Sequence, residues 1–453
     1  MAERSIAAHR SLPMRHLLLL SILAMCPAAV VAGDRPAKKA PNIVFIISDD
    51  QGPADYGFLG HPHIKTPNLD RLAAQSLVYP NGYVTSSICC PSLASIITGM
   101  YPHETKVTSN DPPKKEKAGP AKNAEYLRGR QWYAQQMSSL PSFLRQLAGL
   151  RYFSFQTGKW WHGNFKTGGF THGMSHGDPQ KQGRHGDAGL AIGRKTMEPI
   201  FDFIEEATAE GRPFVVWYAP MLPHLPHDPG DKYVAPYRDK APSLAIAKYW
   251  GNVTRFDDTC GQLLDYLDKN GLTENTIVVY LCDNGWIQDA KTGASIRAKY
   301  TQYEAGHRTP IMIRWPGQVA PGRSKTRVGA IDIAPTLLKA VGAPIPKEMT
   351  GLNLLDAEAV KSRKAVFGEC FVHDAVELDN PAANLRWRWV IEGPWRLVVP
   401  SANEPKAVVE LYNLDDDLDE RTNLAAREPE RVRRLQALLD DWWPGTSKEP
   451  RIK

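Results

Sequence analysis

Two short polar pairs, Asp49-Asp50 and Asp283-Asn284, each end an apolar run, NIVFIIS (Asn42–Ser48) and TIVVYLC (Thr276–Cys282). Carboxylate and amide oxygens delivered from two strand ends suit Ca2+ or Mg2+ and are poor ligands for zinc. One such pair alone is ordinarily a solvated turn. Two of them ending buried-type strands of one sheet make a candidate metal site. Between them lies Cys89-Cys90-Pro91-Ser92. Pro91 sits where a helix would start, Ile96 and Ile97 give it an apolar face, and Gly99 suits its end. Cys89 then stands at a helix N-terminus, where free N–H groups and the dipole favour an anion. The plainer alternative is two buried structural thiols, since adjacent cysteines rarely bridge. Three carboxylates around a divalent cation leave about one net negative charge, so an anionic substrate needs further cations. Lys159 and Lys299 would supply them and stabilise charge developing on the reacting group.

The elements that must position these residues are legible as hydrophobic patterns. Asn42–Ser48, Tyr152–Gln156, Phe214–Ala219 and Thr276–Cys282 are continuous β-branched or aromatic runs, the pattern of strands buried on both faces of a parallel sheet. Helices are predicted from Thr66-Pro67 through Leu77 and over Ser139–Leu150, Pro199–Glu210 and Val253–Leu267. Ligands of such sheets bind beyond the carboxyl ends of the strands, where all four runs deliver polar residues. Lys106–Gln135 and Gly163–Arg194, the second carrying His172, His176 and His185, read as long excursions from the scaffold. Beyond Thr350 the pattern shortens to antiparallel strands at Arg388–Ile391, Trp395–Val399 and Val408–Leu411, closed by an amphipathic helix, Glu428–Trp443. The expected fold class is α/β: a large, mostly parallel sheet sandwiched by helices, with a smaller C-terminal α+β domain containing an antiparallel sheet. The expected boundaries are 1–32 for a signal peptide, 33–355 for the catalytic domain and 356–453 for the C-terminal subdomain.

Composition excludes several classes. The chain has 453 residues, 42% hydrophobic and 23% charged, enough for a large core and unlike a disordered or fibrous protein. A net charge of +6 set against 55 basic and 49 acidic residues is no nucleic-acid signature. Arg4, Arg10 and Arg15 precede an apolar run, Leu17–Ala32, broken by Pro27 and ending in small residues. That is the layout of a secretory signal cleaved after Ala32, too short and interrupted for a membrane span. It places the mature protein outside the cell or in the periplasm. Met25 is bulky where lipid attachment at Cys26 needs a small residue, which argues against anchoring there. Cleavage removes three Arg and one Glu, taking the charge from +6 to about +4, and reduces six cysteines to five. An odd number in an oxidising compartment leaves at least one unpaired or chemically special. No later stretch could span a bilayer.

Cys89-Cys90-Pro91-Ser92, followed by Thr98-Gly99 and Tyr101-Pro102, resembles the signature of the type I sulfatases of the alkaline phosphatase superfamily. Asn42–Gln51, Thr66–Ala73, Gly158–His162 (GKWWH), Pro223–Pro226, Asp283–Gly285, Lys299–Pro310, Asp332–Leu338 and Glu410–Leu424 are similar to further family segments in the same order. The resemblance implies that Cys89 is oxidised by a formylglycine-generating maturation enzyme to formylglycine, whose hydrated aldehyde is the nucleophile. It implies a metal, Ca2+ or Mg2+, held by Asp49, Asp50, Asp283, Asn284 and the Cys89-derived side chain. Lys159 and Lys299 would bind the sulfate, His224 would protonate the leaving oxygen, and His162 would assist release. His227 reads equally as a substrate contact or a capping residue, and His61 and His63 as structural. One departure stands out: the family pattern has Arg two residues after the Pro, where this chain has Leu93.

The reading expected from these residues is hydrolysis of a sulfate ester, with a sulfated carbohydrate as substrate. Lys114, Lys115 and Arg184, with aromatics such as Trp132, suit a sulfated sugar at the mouth of the site. Two alternatives stay open. One is a phosphodiesterase or phosphonate monoester hydrolase of the same superfamily. The other, raised by Leu93, is a relative that binds sulfated glycan without maturing Cys89.

Overall fold

The computed structural model describes residues 39–114, 124–181, 183–291 and 294–445. Residues 1–32, expected to be a signal peptide, with Cys26 among them, and Lys115 lie outside the described residues. No helix among those described is long and apolar enough to cross a membrane.

Four of the strands are those whose sequences run apolar without a break: β1 (Asn42–Ser48), β3 (Phe153–Gly158), β5 (Phe214–Ala219) and β6 (Thr276–Cys282). They lie side by side in parallel in the order β3-β5-β1-β6. Alternation along β1 divides the core in two. Ile43, Phe45 and Ile47 pack on one face with the helices Cys89–Thr98 and Ile333–Val341. Val44 and Ile46 pack on the other with Pro67–Ala74, Glu198–Ala209 and Leu244–Lys269. Burial on both faces is why these strands show no polar alternation.

The sheet continues through β7 (Arg308–Arg314), antiparallel to β6, and β2 (Leu77–Tyr83), antiparallel to β7, and is edged by the two-residue strands β4 (His172–Gly173), β8 (Gly322–Arg323) and β9 (Val328–Gly329), each parallel to its partner. β2 departs from the sequence expectation. The first helix stops at Ala74, and Leu77 opens a strand that Pro80, Asn81 and Gly82 disguise. The pairing tolerates them because its register shifts between Tyr79 and Gly82.

A second prediction also fails, and a third holds but falls short of the whole element. The helix expected over Ser139–Leu150 is instead Ala124–Ser139, which starts inside the segment read as an excursion and ends beyond it. Pro141 bars continuation, Ser142 caps a single turn, Phe143–Gln146, and a 3-10 turn, Ala148–Leu150, follows. The helix predicted over Val253–Leu267 begins earlier, at Leu244, where Ser243 accepts the Ile246 N–H.

The second sheet is an antiparallel meander of β10 (Ala365–Phe371), β11 (Leu385–Glu392), β12 (Trp395–Pro400) and β13 (Glu410–Asn413), with Pro429–Trp442 packed on it. Its first strand is fixed to the segment after β2 by the Glu369 N–H bond to the Thr85 carbonyl, 2.8 Å. Beside it, His103 bonds the buried Glu369 carboxylate and stacks on Trp443, centroids 4.4 Å apart. Burial opposes the charge on His103, but Glu369 outweighs it and raises the pKa above the ordinary 6.5. The stabilisation is therefore complete below pH 6.5 and fades as pH rises through the raised value. His103→Ala strands the Glu369 carboxylate and should cost about 3 kcal/mol. Urea melts of the two proteins should show that gap near pH 6 and a smaller one at high pH; a gap that does not change with pH would refute the assignment.

Candidate functional site

Strand register brings the candidate residues to one edge. Ser48 is level with Cys282 and Gly158 with Ala219, so Asp49, Asp283, Lys159 and the Pro220–Pro226 segment leave adjacent strands together. Lys159 can leave there because Gly158 has φ +70°, and a Cβ at that position would fall 1.9 Å from the Ala219 carbonyl. Asp50 adopts φ 59°, a turn that sends consecutive carboxylates to different partners. Asp49 Oδ2 meets Lys159 Nζ at 2.6 Å, and Asp50 Oδ1 meets Lys299 Nζ at 2.6 Å.

Both lysines converge on Cys89 Sγ, at 3.2 Å from Lys159 Nζ and 3.4 Å from Lys299 Nζ. The helix begins at Cys89, two residues before the start expected at Pro91, so Cys89 is its first residue, and Asn110 Oδ1 accepts the next backbone N–H. Burial works against the charges on Lys159 and Lys299, yet Asp49 and Asp50 raise both pKa values. Burial would also raise Asp50, but Lys299, His224 and Lys159 hold it down to about 2. Burial pushes the Cys89 thiol up to about 12 even against the two lysines. As an unmodified thiol, Cys89 is therefore held protonated and is a poor nucleophile.

The donor set fits a divalent cation. Asp49, Asp50, Cys89 and His224 present ligand atoms within 4.8 Å of one another. His224 Nε2 lies 3.4 Å from Asp50 Oδ2. Asp283 and Asn284 join through Asp50, whose N–H reaches Asp283 Oδ1 at 3.4 Å and whose Oδ1 accepts Asn284 Nδ2 at 2.7 Å. Among the described residues, Asp283 Oδ2 and Asn284 Oδ1 are buried without a hydrogen-bond partner. Burial and then Asp49 raise the Asp283 pKa well above the carboxylate range. A bound cation is what would keep that carboxyl ionised.

The remaining predicted residues divide. His224 stays at the centre, half-exposed to the mouth, while burial and Lys159 hold its pKa down. His227 packs 5.3 Å from the Tyr249 ring with Nε2 buried and unpartnered. The structure brings His162 to Cys90 Sγ, 3.8 Å from Nδ1, and burial with Arg130 lowers its pKa to about 3. His61 accepts the His63 and Ile64 N–H groups on Nδ1, a loop cap as its structural reading holds. Leu93 is fully buried in the apolar core and brings no charge to the centre. Lys114 pairs with Asp374 at 2.8 Å and Arg184 with Asp111 at 2.6 Å, while Trp132 packs on Tyr133.

Three neighbours of the centre escape sequence reading. Trp161, the extra residue of GKWWH, lies under the Arg184 guanidinium at 4.7 Å and beside His185 at 4.9 Å. Burial, then Lys159, Arg184 and His224, lower the His185 pKa to about 2. Arg130, buried in Ala124–Ser139, bonds the Trp161 and Arg184 carbonyls and leaves Nε and Nη1 unpartnered. The only signal for His185 is a histidine in a Gly-rich excursion; for Arg130 there is none, because its helix looks like a solvated face.

The sulfatase family model matches residues 41–343, and a model for the N-sulphoglucosamine sulphohydrolase C-terminal region matches 296–441. The chain is similar to the N-acetylgalactosamine-6-sulfatase of Mus musculus, 28% identical over 390 residues, covering 75% of this chain and 69% of that protein. It is 25% identical, over an alignment of 520 positions, to the N-acetylgalactosamine-6-O-sulfatase of Bacteroides thetaiotaomicron, covering 93% and 96%. A solved structure of a protein in complex with its substrate, D-glucosamine-2-N,6-O-disulfate, has a like fold, with TM-score 0.72 at 20% identity over 90% of this chain and 98% of that one.

The unpartnered oxygens generate a prediction independent of activity. Adding a divalent cation at a hundred times its Kd to chelator-treated protein should stabilise it by about 2.7 kcal/mol, read as a rise in Tm. Asp283→Asn with Asn284→Ala should remove most of that rise; an undiminished rise would place the cation elsewhere.

Proposed function

The chain belongs to the sulfatase family, and from that premise we propose that it hydrolyses the sulfate ester of a sulfated carbohydrate through a formylglycine made from Cys89. The observation that carries this reading is the convergence of Lys159 and Lys299, each paired with its own aspartate, on the Cys89 side chain at a helix N-terminus. The relatives named N-acetylgalactosamine-6-sulfatase support a 6-O-sulfated amino sugar as the first class to test. The mouth suits it, with the exposed Tyr300 beside Lys299 for a ring face. We take Ca2+ as the first choice of ion and Mg2+ as the second, because the free ligand atoms are hard oxygens. Residues 33–355 then form the catalytic domain, 356–453 the smaller one, and 1–32 the signal that sends the protein to the periplasm or outside the cell.

In net terms, water oxygen ends on sulfur, the sulfur–oxygen bond to the sugar breaks, and a proton passes to the leaving alcohol. Asp49, Asp50, Asp283 and Asn284 would hold the cation, which supplies Lewis-acid polarisation of the sulfate when bound. The Cys89-derived aldehyde, hydrated, supplies the attacking oxygen. Lys159 and Lys299 are already desolvated and oriented, so they meet charge developing on the sulfuryl oxygens without reorganising. His224, partly open to the mouth, would give the leaving oxygen its proton, once the bound sulfate favours its charged form against burial and Lys159. A maturation enzyme must first oxidise the Cys89 thiol, and it must do so with Leu93 in place of the family's Arg.

Protein from the native host should turn over p-nitrophenyl sulfate, and peptide mass spectrometry over Cys89 should find formylglycine. Lys159→Ala and Lys299→Ala should each lose about 100- to 1000-fold in kcat, and Cys89→Ala should lose all turnover. An active preparation carrying only the Cys89 thiol would overturn the nucleophile. Faster turnover of p-nitrophenyl phosphate would move the chain to the phosphoester reading.

A further inference from the structure

A cavity of about 760 Å3 lies beside the catalytic centre and contains none of the residues assigned to it. Two of its walls are shared with that centre. Trp286 lines the cavity, and its ring lies 5.8 Å from Lys299 Nζ and 6.2 Å from the His227 ring. Tyr249 also lines it, packs on His227 at 5.3 Å, and is fixed by the Gly52 N–H and Asp55 Oδ2 at its hydroxyl. A space of this size is in the range of small-molecule sites, about 300–1000 Å3.

The lining selects among ligands. Trp250 and Tyr303 add to the aromatic surface, and Ile287, Ile296 and Leu418 are exposed around it. Most of its charges are met internally: Arg308 by Glu304 at 2.7 Å, Arg421 by Asp419 at 2.8 Å, and Glu420 by Arg396. Arg297 is different. Its guanidinium lies 3.6 Å from the Tyr303 centroid and donates to the Asp419 and Glu420 carbonyls, but among the described residues no carboxylate lies within ion-pair reach. A fixed, uncompensated cation on an aromatic face, within an apolar rim, matches the C–H face of a pyranose ring bearing an anionic substituent.

We propose that this cavity is a second carbohydrate site, which takes an uncut, negatively charged sugar of a multi-sugar substrate while the sulfate to be removed sits at Cys89. The inference rests on the sulfated-carbohydrate reading above. It makes affinity depend on chain length, because a substrate engaging both places binds the second one intramolecularly.

Cys89→Ser protein allows binding to be measured without turnover. By calorimetry, a chondroitin 6-sulfate hexasaccharide should bind at least about tenfold more tightly than N-acetylgalactosamine 6-sulfate. Arg297→Asn, suited to the left-handed backbone at φ 48°, and Leu418→Asp should each remove most of that excess. Both side chains are exposed, so the fold should tolerate the changes. Equal affinity for the two sugars, no binding of either, or an excess that survives both substitutions overturns the site. Turnover of p-nitrophenyl sulfate by matured wild-type protein reads the centre separately. If it is absent while the hexasaccharide excess and its loss in the variants hold, the cavity stands and the sulfatase centre falls.

Discussion

Three carboxyl groups and two ammonium groups lie out of water at one end of the sheet, and no member of that set could be buried alone. The effective penalty for burying an unpaired ion is several kcal/mol. Asp49 with Lys159 and Asp50 with Lys299 each cancel most of it locally. Among the described residues Asp283 has no ion pair of its own, and burial together with the neighbouring Asp49 raises its pKa. The arrangement is also what gives the centre its chemistry. The pairing that makes the lysines tolerable in the interior is loose enough in direction that both Nζ atoms still face Cys89.

This cluster depends on the sheet. Its members come from the ends of β1, β3 and β6 and, for Lys299, from the segment between β6 and β7, and they meet only because the strands are in register within one residue. A slip of one position would turn every buried side chain to the other face. Gly158 and the left-handed Asp50 are local concessions to this assembly: one lets backbone approach backbone, the other splits two adjacent carboxylates between two lysines. The helix Cys89–Thr98 then presents its first residue to the cluster while its entire length is buried, which fixes the direction of Cys89.

Much of this was legible along the chain. The four continuous apolar runs announced a buried parallel sheet, and the polar residues stopping them marked the end at which chemistry would occur. Pro91 and Gly99 bracketed the helix that carries Cys89. β2 was not legible, because Pro80-Asn81-Gly82 reads as a turn unless a bulge in the partner pairing absorbs it. Nor was the helix Ala124–Ser139, whose amphipathic signal is weak because Arg130 is buried and Trp132 is not. That same helix supplies the charge that bears on Cys90 and His162, so the misreading of one element concealed part of the surroundings of the site.

The sequence by itself determined which residue types could meet: hard oxygens from two strands, a cysteine at a helix start, and lysines to balance them. Residue type and spacing settle local propensity and which end of each strand is polar, and these are properties of short segments. Only the tertiary structure decided the partnerships. It gave Lys159 to Asp49 and Lys299 to Asp50, turned His162 toward Cys90, and set His185 beside Trp161. It also placed Arg297 over Tyr303 at a cavity wall. The physical reason is that charge pairing and desolvation are fixed by distances between residues far apart in the chain, which no local pattern encodes.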